Sequence, residues 1–198
     1  MSQRALQKSD SKRAILRSAA TILRERGGAG ASVQHVMAGA GLTVGAFYAH
    51  FPDKEALVAE AFVQALDEAK ALVDGATGGA TGAAALSAVV DRYLSEEHRD
   101  DVRRGCPLPA MLGEAAASHD ADSSELFEQA VKTMRDRLAA VAQKDAPADA
   151  VLALVALMVG GQILARATRG TPTSSMVLAS CRKAGKALAA APRARVQR

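Results

Sequence analysis

The chain has 198 residues, of which 49% are hydrophobic and 23% are charged, but only 3% are aromatic and none is tryptophan. A core of this composition is built mainly from alanine, leucine, valine and methionine, and alanine is a strong helix former but a poor strand former. We therefore predict an all-α fold, in one large domain or in a small domain joined to a medium one.

The net charge of +4 comes entirely from the first quarter of the chain. Residues 1–55 hold eight basic and four acidic side chains, whereas the remaining residues hold 17 of each kind. A local basic excess beside a neutral remainder is typical of a nucleic-acid-binding module attached to another domain. Taken alone, the same charge would equally describe a solvated N-terminal face.

Three features bear on where the protein resides. Residues 1–11 are polar and basic without an apolar segment, so no signal peptide is expected. Residues 150–165 form the longest uncharged, mostly apolar stretch, whereas a membrane span needs about 20 such residues. The two cysteines do not make a disulfide framework. We expect a cytoplasmic protein with reduced thiols and no membrane contact.

The first predicted helix runs from about Asp10 to Arg26 and ends at two glycines. Its apolar residues recur at helical spacing, and three arginines fall on a separate stripe that we expect to attract DNA. The apolar set is Ile15, Ala19, Ile22 and Leu23, and the arginines are Arg13, Arg17 and Arg24.

Two short helices follow, joined by the turn at residues 39–42. Ser32 is the predicted N-cap of the first of them, and Thr43 is the predicted N-cap of the second, which extends to Phe51. Pro52 then ends that helix. Two short helices joined by a tight turn after a longer helix describe a helix-turn-helix.

The remainder of the chain is predicted to be helical as well. A continuous apolar stripe from Lys54 to Val73 indicates one helix of about 20 residues. Residues 74–84 are rich in glycine, threonine and alanine and are read as a flexible connection. Further helical segments are expected near residues 84–98, 107–118, 122–143, 147–169 and 173–190.

The segment from Gly27 to Pro52 contains no charged side chain, yet it holds three of the six aromatic residues. Phe47 and Phe51 share one helical face and can fill the core of a small bundle. The opposite arc is small or apolar apart from Tyr48, so it can press into a major groove without repelling phosphate. The predicted DNA-binding residues are Ser32, Gln34, Thr43, Val44, Gly45, Ala46, Tyr48, Ala49, His50 and Lys54.

The stretch SVQHVMAGAGLTVGAFYAHFPDKEAL resembles the N-terminal domain of the TetR family of bacterial transcriptional regulators. The matching features are a Ser-capped helix, Ala40-Gly41 followed by a hydrophobic residue and Thr43, small residues before Tyr48, then His50-Phe51 and the helix start at Lys54. The resemblance covers roughly residues 10–60 and is more specific than a generic helix-turn-helix.

The resemblance implies two domains, a DNA-binding domain at residues 10–70 and a ligand-binding and dimerisation domain at residues 71–198. It implies a homodimer that binds a pseudo-palindromic double-stranded DNA operator, most often as a repressor, and that a small-molecule effector releases. The middle helices would enclose the effector pocket. The residues we assign to this pocket are Tyr93, Cys106, Met111, Leu112, Phe127 and Met134.

The last two helices would pair with those of a second subunit, and the residues support this pairing independently. Residues 150–165 are apolar around nearly the whole helix, which demands burial on every side. Gly160 and Gly161 cost about 1 kcal/mol each relative to alanine, which close approach of another backbone would offset. The predicted dimer residues are Val151, Leu154, Val155, Met158, Gly161, Ile163, Val177, Cys181, Ala184 and Leu188.

Cys106 leaves an alternative open. Pro107 suits the first turn of a helix, so Cys106 lies at a helix N-terminus beside Arg103 and Arg104, where a thiolate is favoured. The segment also resembles the Gly-Cys segment of some family members that respond to electrophiles or oxidants. Cys106 is therefore the thiol of a redox-sensing regulator, the nucleophile of a small helical enzyme, or a small buried residue at a helix start.

No catalytic constellation, cofactor or metal site is expected. Two clusters of histidine and carboxylate lack dependable ligand spacing and are read as solvated loop ends. They are His98 with Glu96 and Glu97, and His119 with Asp120 and Asp122.

Overall fold

The computed structural model describes residues 3–117, 121–143 and 147–190, and in these ranges the protein is helical without strands. This confirms the predicted all-α class. The helices are α1 (Gln3–Arg26), α2 (Val33–Gly39), α3 (Lys54–Glu68), α4 (Lys70–Thr77), α5 (Ala83–Tyr93), α6 (Glu96–Asp100), α7 (Leu108–Ala117), α8 (Ala121–Ala142), α9 (Ala148–Ala167) and α10 (Pro172–Ala189), with 3-10 segments at Val44–Ala49 and Val102–Arg104.

The chain divides into two compact units. The first comprises Met1–Ala69 with Cys106–Leu126, and the second comprises Lys70–Gly105 with Phe127–Arg198. Residues 106–126 thus belong to the first unit although they lie beyond residue 70, where we placed the domain boundary.

The core of the first unit forms where α1 packs against α2, α3 and α7. The apolar stripe predicted for α1 is confirmed, since all four of its residues are buried. The helix itself begins seven residues earlier than predicted, at Gln3. Residues 3–9 contain no glycine or proline, and no apolar periodicity marks where the helix begins.

Capping side chains start α2 and α3. The Ser32 hydroxyl accepts a hydrogen bond from the His35 amide at 3.2 Å, which confirms its predicted role. The Asp53 carboxylate accepts one from the Ala56 amide at 2.7 Å and starts α3. Each cap satisfies a backbone donor that has no partner within its own helix.

The third predicted helix is a 3-10 segment, because its amides bond three residues back. The Ala46 amide donates to the Thr43 carbonyl at 3.0 Å, and the His50 amide donates to the Phe47 carbonyl at 2.9 Å. Thr43 occupies the N-cap position but makes no side-chain cap bond. The segment is confined between Gly41, whose φ of +70° ends the preceding turn, and Pro52, which leaves too few residues for a stable α-helix.

The arginine stripe of α1 faces α3, so its predicted role in attracting DNA is wrong for Arg24. Arg24 is 3% exposed and donates to the Ala65 carbonyl at 3.0 Å and the Glu68 carboxylate at 2.7 Å. Arg13 pairs with Asp10, and Arg13 and Arg17 line a cleft whose other wall is α3. Packing of α1 against α3 places these guanidinium groups beside carboxylates of the same unit.

The helix predicted from Lys54 to Val73 is divided at Ala69 into α3 and α4. No glycine or proline stands at this position, so the local sequence does not mark the break. The glycine-rich residues 74–84 were predicted to be a flexible connection. Their first part is helical instead, because α4 continues to Thr77.

The second unit is organised around α9 and α10, which pack on each other, with α10 also packing on α5. Gly161 permits this contact, because a Cβ there would lie 2.9 Å from Leu94 and 3.1 Å from the Cys181 sulfur. The close approach predicted for Gly161 is therefore made by side chains within one chain. A Cβ at Gly160 would meet no atom within 4 Å.

His98 is a buried titratable group in the second unit. Its Nδ1 lies 2.6 Å from the Tyr93 carbonyl oxygen, and its backbone amide donates to the Ser95 hydroxyl at 3.0 Å. Burial lowers the pKa of His98 from 6.5 to about 4, because the charged imidazolium would lose its hydration. His98 is thus neutral at neutral pH and serves the packing of α6.

We expect His98 to make the protein sensitive to mild acid. The folded-state pKa of His98 lies below 6.5, so the unfolded chain binds a proton at a higher pH than the folded protein does. The contribution of neutral His98 to the free energy of unfolding is therefore present above pH 6.5 and is lost as the pH falls toward 4. The loss between pH 7 and pH 4.5 is about 2.5 kcal/mol. Denaturant unfolding of wild type and His98→Asn at both pH values isolates this loss, since asparagine keeps the donor to Tyr93 without titrating. Equal pH dependence of the two proteins would contradict the assignment.

Candidate nucleic-acid interface

The Val44–Ala49 segment has one buried face and one open face. Phe47 and Phe51 are each 1% exposed, and their rings stack with centroids 5.8 Å apart. Tyr48 is 74% exposed and Val44 is 46% exposed. A Cβ added at Gly45 would meet no atom within 4 Å. The two phenylalanines anchor the segment, which leaves a nearly flat, uncharged surface in solvent.

All ten predicted DNA-binding residues lie in the first unit, and none of them is fully buried. The Ser32 oxygen is occupied as an acceptor by the α2 cap, but its hydroxyl can still donate a hydrogen bond outward. Most of the set is exposed, namely Ser32, Gln34, Thr43, Val44, Gly45, Tyr48 and Ala49, while Ala46, His50 and Lys54 are half-buried.

His50 has an environment that sequence reasoning missed. Burial, followed by the nearby ammonium groups of Lys8 and Lys12, lowers its pKa below 6.5. Lys12 is fixed there, because its Nζ lies 5.1 Å from the centre of the Phe51 ring and 2.7 Å from a carboxylate oxygen of Glu60. His50 is therefore neutral at neutral pH and presents imidazole, which can donate one hydrogen bond.

Glu114 on α7 holds the loop that precedes α2. Its carboxylate accepts hydrogen bonds from the backbone amides of Gly28 at 2.7 Å and Ala29 at 3.1 Å. Gly27, with φ of +70°, allows this approach, because a Cβ there would lie 2.5 Å from the carboxylate. This contact was not predicted from the sequence, since an isolated glutamate on a distant helix is normally a solvated side chain.

We expect Glu114→Ala to destabilise the first unit by about 1–3 kcal/mol, because the half-buried Gly28 amide loses its acceptor. Denaturant unfolding measures the loss, and faster hydrogen exchange at the Gly28 and Ala29 amides localises it. Glu125→Ala, which removes an exposed carboxylate from α8 of the same unit, is the matched control. Similar effects of the two substitutions would show that the loop does not depend on Glu114.

Comparison with known proteins gives a family match for the Val44–Ala49 segment and the helices next to it. Residues 15–61 match the family model of the bacterial regulatory proteins of the tetR family. Residues 15–61 therefore form a TetR-type N-terminal domain. This match contains all of α2, the Val44–Ala49 segment and the start of α3, and it confirms the resemblance drawn from the sequence.

Two relatives of this chain are uncharacterized HTH-type transcriptional regulators of Mycobacterium tuberculosis, from strains CDC 1551 and H37Rv. Each is 33% identical over 104 residues, which cover 52% of the chain and 52% of the relative. The matched region therefore spans about half the length of these relatives.

Solved structures share the fold along most of the chain. A TetR transcriptional regulator from Chloroflexus aurantiacus superposes with a TM-score of 0.73 at 21% identity, covering 91% of this chain and 94% of the other. A TetR-family regulator from Cytophaga hutchinsonii gives 0.71 at 23% identity, covering 97% and 98%. At these identities the likeness establishes the all-helical TetR fold.

The structure divides the predicted dimer residues into two groups. Val151, Leu154, Val155, Met158 and Gly161 are already buried within a single chain, whereas Ile163 and Ala184 are exposed and Val177, Cys181 and Leu188 are half-buried. The large apolar side chains that α9 and α10 expose are Leu152, Ile163, Leu164 and Met176. The predicted dimer residues include only Ile163 of these four, and for α9 the reason is that a helix apolar on every side does not reveal which face points inward.

The α9 helix also meets the length and composition of a membrane span. Residues Asp149–Ala167 contain an apolar window of mean hydropathy 1.9, and 44% of that window is buried in the chain. The core helix of a globular domain has the same properties.

The six predicted pocket residues fall in different units. Cys106, Met111 and Leu112 belong to the first unit, and Tyr93, Phe127 and Met134 belong to the second. None of the six lines the two clefts described within the second unit. One cleft, of about 340 Å³, includes Val73, Thr77 and Arg137, and the other, of about 530 Å³, includes Arg92, Glu97, His98, Asp101 and Arg104.

The two thiols differ from what a redox sensor requires. Cys106 precedes α7 as expected but is only 4% exposed, so an oxidant in solvent does not reach its sulfur in this conformation. Burial raises the pKa of the half-buried Cys181, which favours its neutral thiol. Neither cysteine has the exposed thiolate on which the sensor and enzyme alternatives depend.

No group of three or more histidine, cysteine or carboxylate side chains able to hold a metal occurs in the described ranges. His98 of the first predicted cluster bonds to the Tyr93 carbonyl, and His119 and Asp120 of the second lie outside those ranges.

Proposed function

We propose that this TetR-family protein is a homodimeric transcriptional repressor that binds a pseudo-palindromic DNA operator and is released by a small-molecule effector. The observation that carries the proposal is the Val44–Ala49 segment, called the reading segment from here on. It exposes Tyr48 and Val44 on an uncharged surface while Phe47 and Phe51 anchor it in the core of the first unit.

The chemistry of this surface suits the major groove. Its small residues allow close approach, and Val44 with Ala46 can contact thymine methyl groups. Tyr48, Thr43 and neutral His50 can donate hydrogen bonds to phosphate oxygens. No carboxylate occurs between Gly27 and Pro52 to repel the DNA backbone.

Dimerisation is proposed through α9 and α10. Leu152, Ile163 and Leu164 are exposed apolar side chains on the outer side of α9, and Met176 is another on α10. A second copy of the chain would cover this surface by two-fold symmetry. Such a dimer presents two reading segments about 34 Å apart, the spacing of successive major grooves on one side of the duplex.

Effector control is proposed to act by population shift. An effector that favours a conformation with the wrong separation of the reading segments would weaken operator binding. Within the first unit, α7 carries both Met111 and Glu114, and Glu114 holds the loop before α2. Movement of α7 would therefore be transmitted to the DNA-reading helices through this carboxylate.

The implied partners are double-stranded DNA, a second copy of the chain and a small-molecule effector, without a cofactor, metal or membrane. The proposal places the protein in the cytoplasm, where the bacterial chromosome lies. It assigns no catalytic activity, consistent with a family of transcriptional regulators.

Fluorescence anisotropy with the DNA that flanks the protein's own gene tests the proposal. We expect saturable binding that weakens as salt rises, since phosphate contacts release counterions. A scrambled duplex of the same composition measures specificity. Equal binding to both duplexes, or binding that does not respond to salt, would contradict operator recognition.

A further inference from the structure

A row of basic side chains runs along the first turns of α1, outside the region that matches the family model. Arg4, Lys8 and Lys12 are spaced four residues apart, so they lie on one face of the helix. By helical spacing this is the face that carries Ile15 and Ala19, which are buried in the core farther along the helix. The row therefore points to the side of α1 on which the first unit packs.

Lys12 places this row beside the reading segment. Its ammonium lies over the Phe51 ring, adjacent in sequence to His50, and pairs with Glu60. Lys8 is one turn earlier, about 6 Å along the axis. Lys8 and Lys12 both lower the pKa of His50, in addition to the larger effect of burial. The row thus continues the proposed DNA-binding surface from the end of the Val44–Ala49 segment.

Helix stability does not explain this pattern. The first turn of α1 contains no acidic residue, and positive side chains near a helix N-terminus are unfavourable to the helix dipole. Arg4 and Lys8 are exposed, and residues 3–9 include no carboxylate. An anionic partner would compensate for this arrangement.

We propose that Arg4 and Lys8 bind phosphates of the operator backbone that flank the major-groove contacts of Val44–Ala49. This inference rests on the proposed DNA-binding function. Lys12 is held by Glu60 and anchors the row, while Arg4 and Lys8 make the contacts. Because phosphates carry no sequence information, the pair would strengthen binding to all duplexes about equally.

The test compares Arg4→Gln, Lys8→Gln and the double variant with wild type, each as the full chain. Arg26→Gln is the matched control, since Arg26 is an exposed basic residue at the C-terminal end of the same helix and belongs neither to this row nor to the arginine stripe of α1. Anisotropy titrations at several salt concentrations give the slope of log K against log salt for an operator duplex and a scrambled duplex.

We expect each single variant to reduce the steepness of this slope by about 2, because a dimer loses one contact in each subunit. Binding to the two duplexes should weaken by similar factors. Arg26→Gln should leave the slope near that of wild type. If wild type binds DNA and the double variant has the same slope and affinity, the proposed phosphate contacts are wrong, but the proposed function is not affected. The contacts are also wrong if the variants lose discrimination between the operator and scrambled duplexes without a change in slope. If wild type binds neither duplex, the proposed function is wrong as well.

Discussion

Gly45→Glu is expected to weaken operator binding by at least about 100-fold, equivalent to about 2.7 kcal/mol. The substitution places a carboxylate on the open face of the Val44–Ala49 segment, where it would meet phosphates and lose hydration in the groove. Each dimer would carry two such groups. The fold should tolerate the change, because a Cβ at Gly45 meets no atom within 4 Å and its backbone is not left-handed.

Gly113→Glu is the matched control for this experiment. Gly113 is also exposed in the first unit, with open space around its Cβ and no left-handed backbone, so it receives the same charge at an equivalent structural cost. Anisotropy titration should show near wild-type affinity for Gly113→Glu and strong loss for Gly45→Glu, with equal thermal stability. Equal affinities of the two variants would remove the reading segment from the DNA interface.

Leu164→Asp is expected to dissociate the dimer, raising its dissociation constant by about 1,000-fold or more. Leu164 is 56% exposed on α9, and burying a leucine side chain contributes about 1.5–3 kcal/mol. Because the interface is two-fold symmetric, this loss occurs in both subunits, and each new carboxylate would be buried without a partner. Operator affinity should fall with it, since a single subunit contacts only one half-site.

Sedimentation velocity over a range of concentrations measures this change directly. Val63→Asp serves as the control, because Val63 is a comparably exposed apolar residue on α3 of the first unit. That variant should remain dimeric. Dimeric Leu164→Asp would move the interface away from the exposed face of α9, and a monomeric wild type would contradict the dimer itself.

The helix-turn-helix was predictable because its signals are local. The Ser32 cap, the glycine turn before Thr43, and the four-residue spacing of Phe47 and Phe51 each act within a few residues. Local signals also predicted the first and last residues of α7, α8, α9 and α10 to within about two residues. They did not reveal the break at Ala69, nor that Val44–Ala49 is a 3-10 segment.

Contacts between distant parts of the chain were not predictable in this way. Arg24 was read as a DNA-attracting side chain until α3 placed Ala65 and Glu68 around it. The carboxylate of Glu114 reaches a loop that precedes it by more than eighty residues. Exposure in α9 was likewise undetermined, since apolar residues on every side leave no periodicity from which to choose the inner face.

The sequence by itself determined the all-helical class and the helix-turn-helix with its TetR-type pattern, because helix propensity, capping and apolar spacing depend on neighbouring residues. Only the tertiary structure decided which charged groups remain available to a partner. It enclosed Arg24 and placed the helix face that carries Lys8 and Lys12 beside His50. The physical reason is that a charged side chain is paired or left exposed according to which helix packs against it. Helix packing depends on residues that are far apart in the sequence.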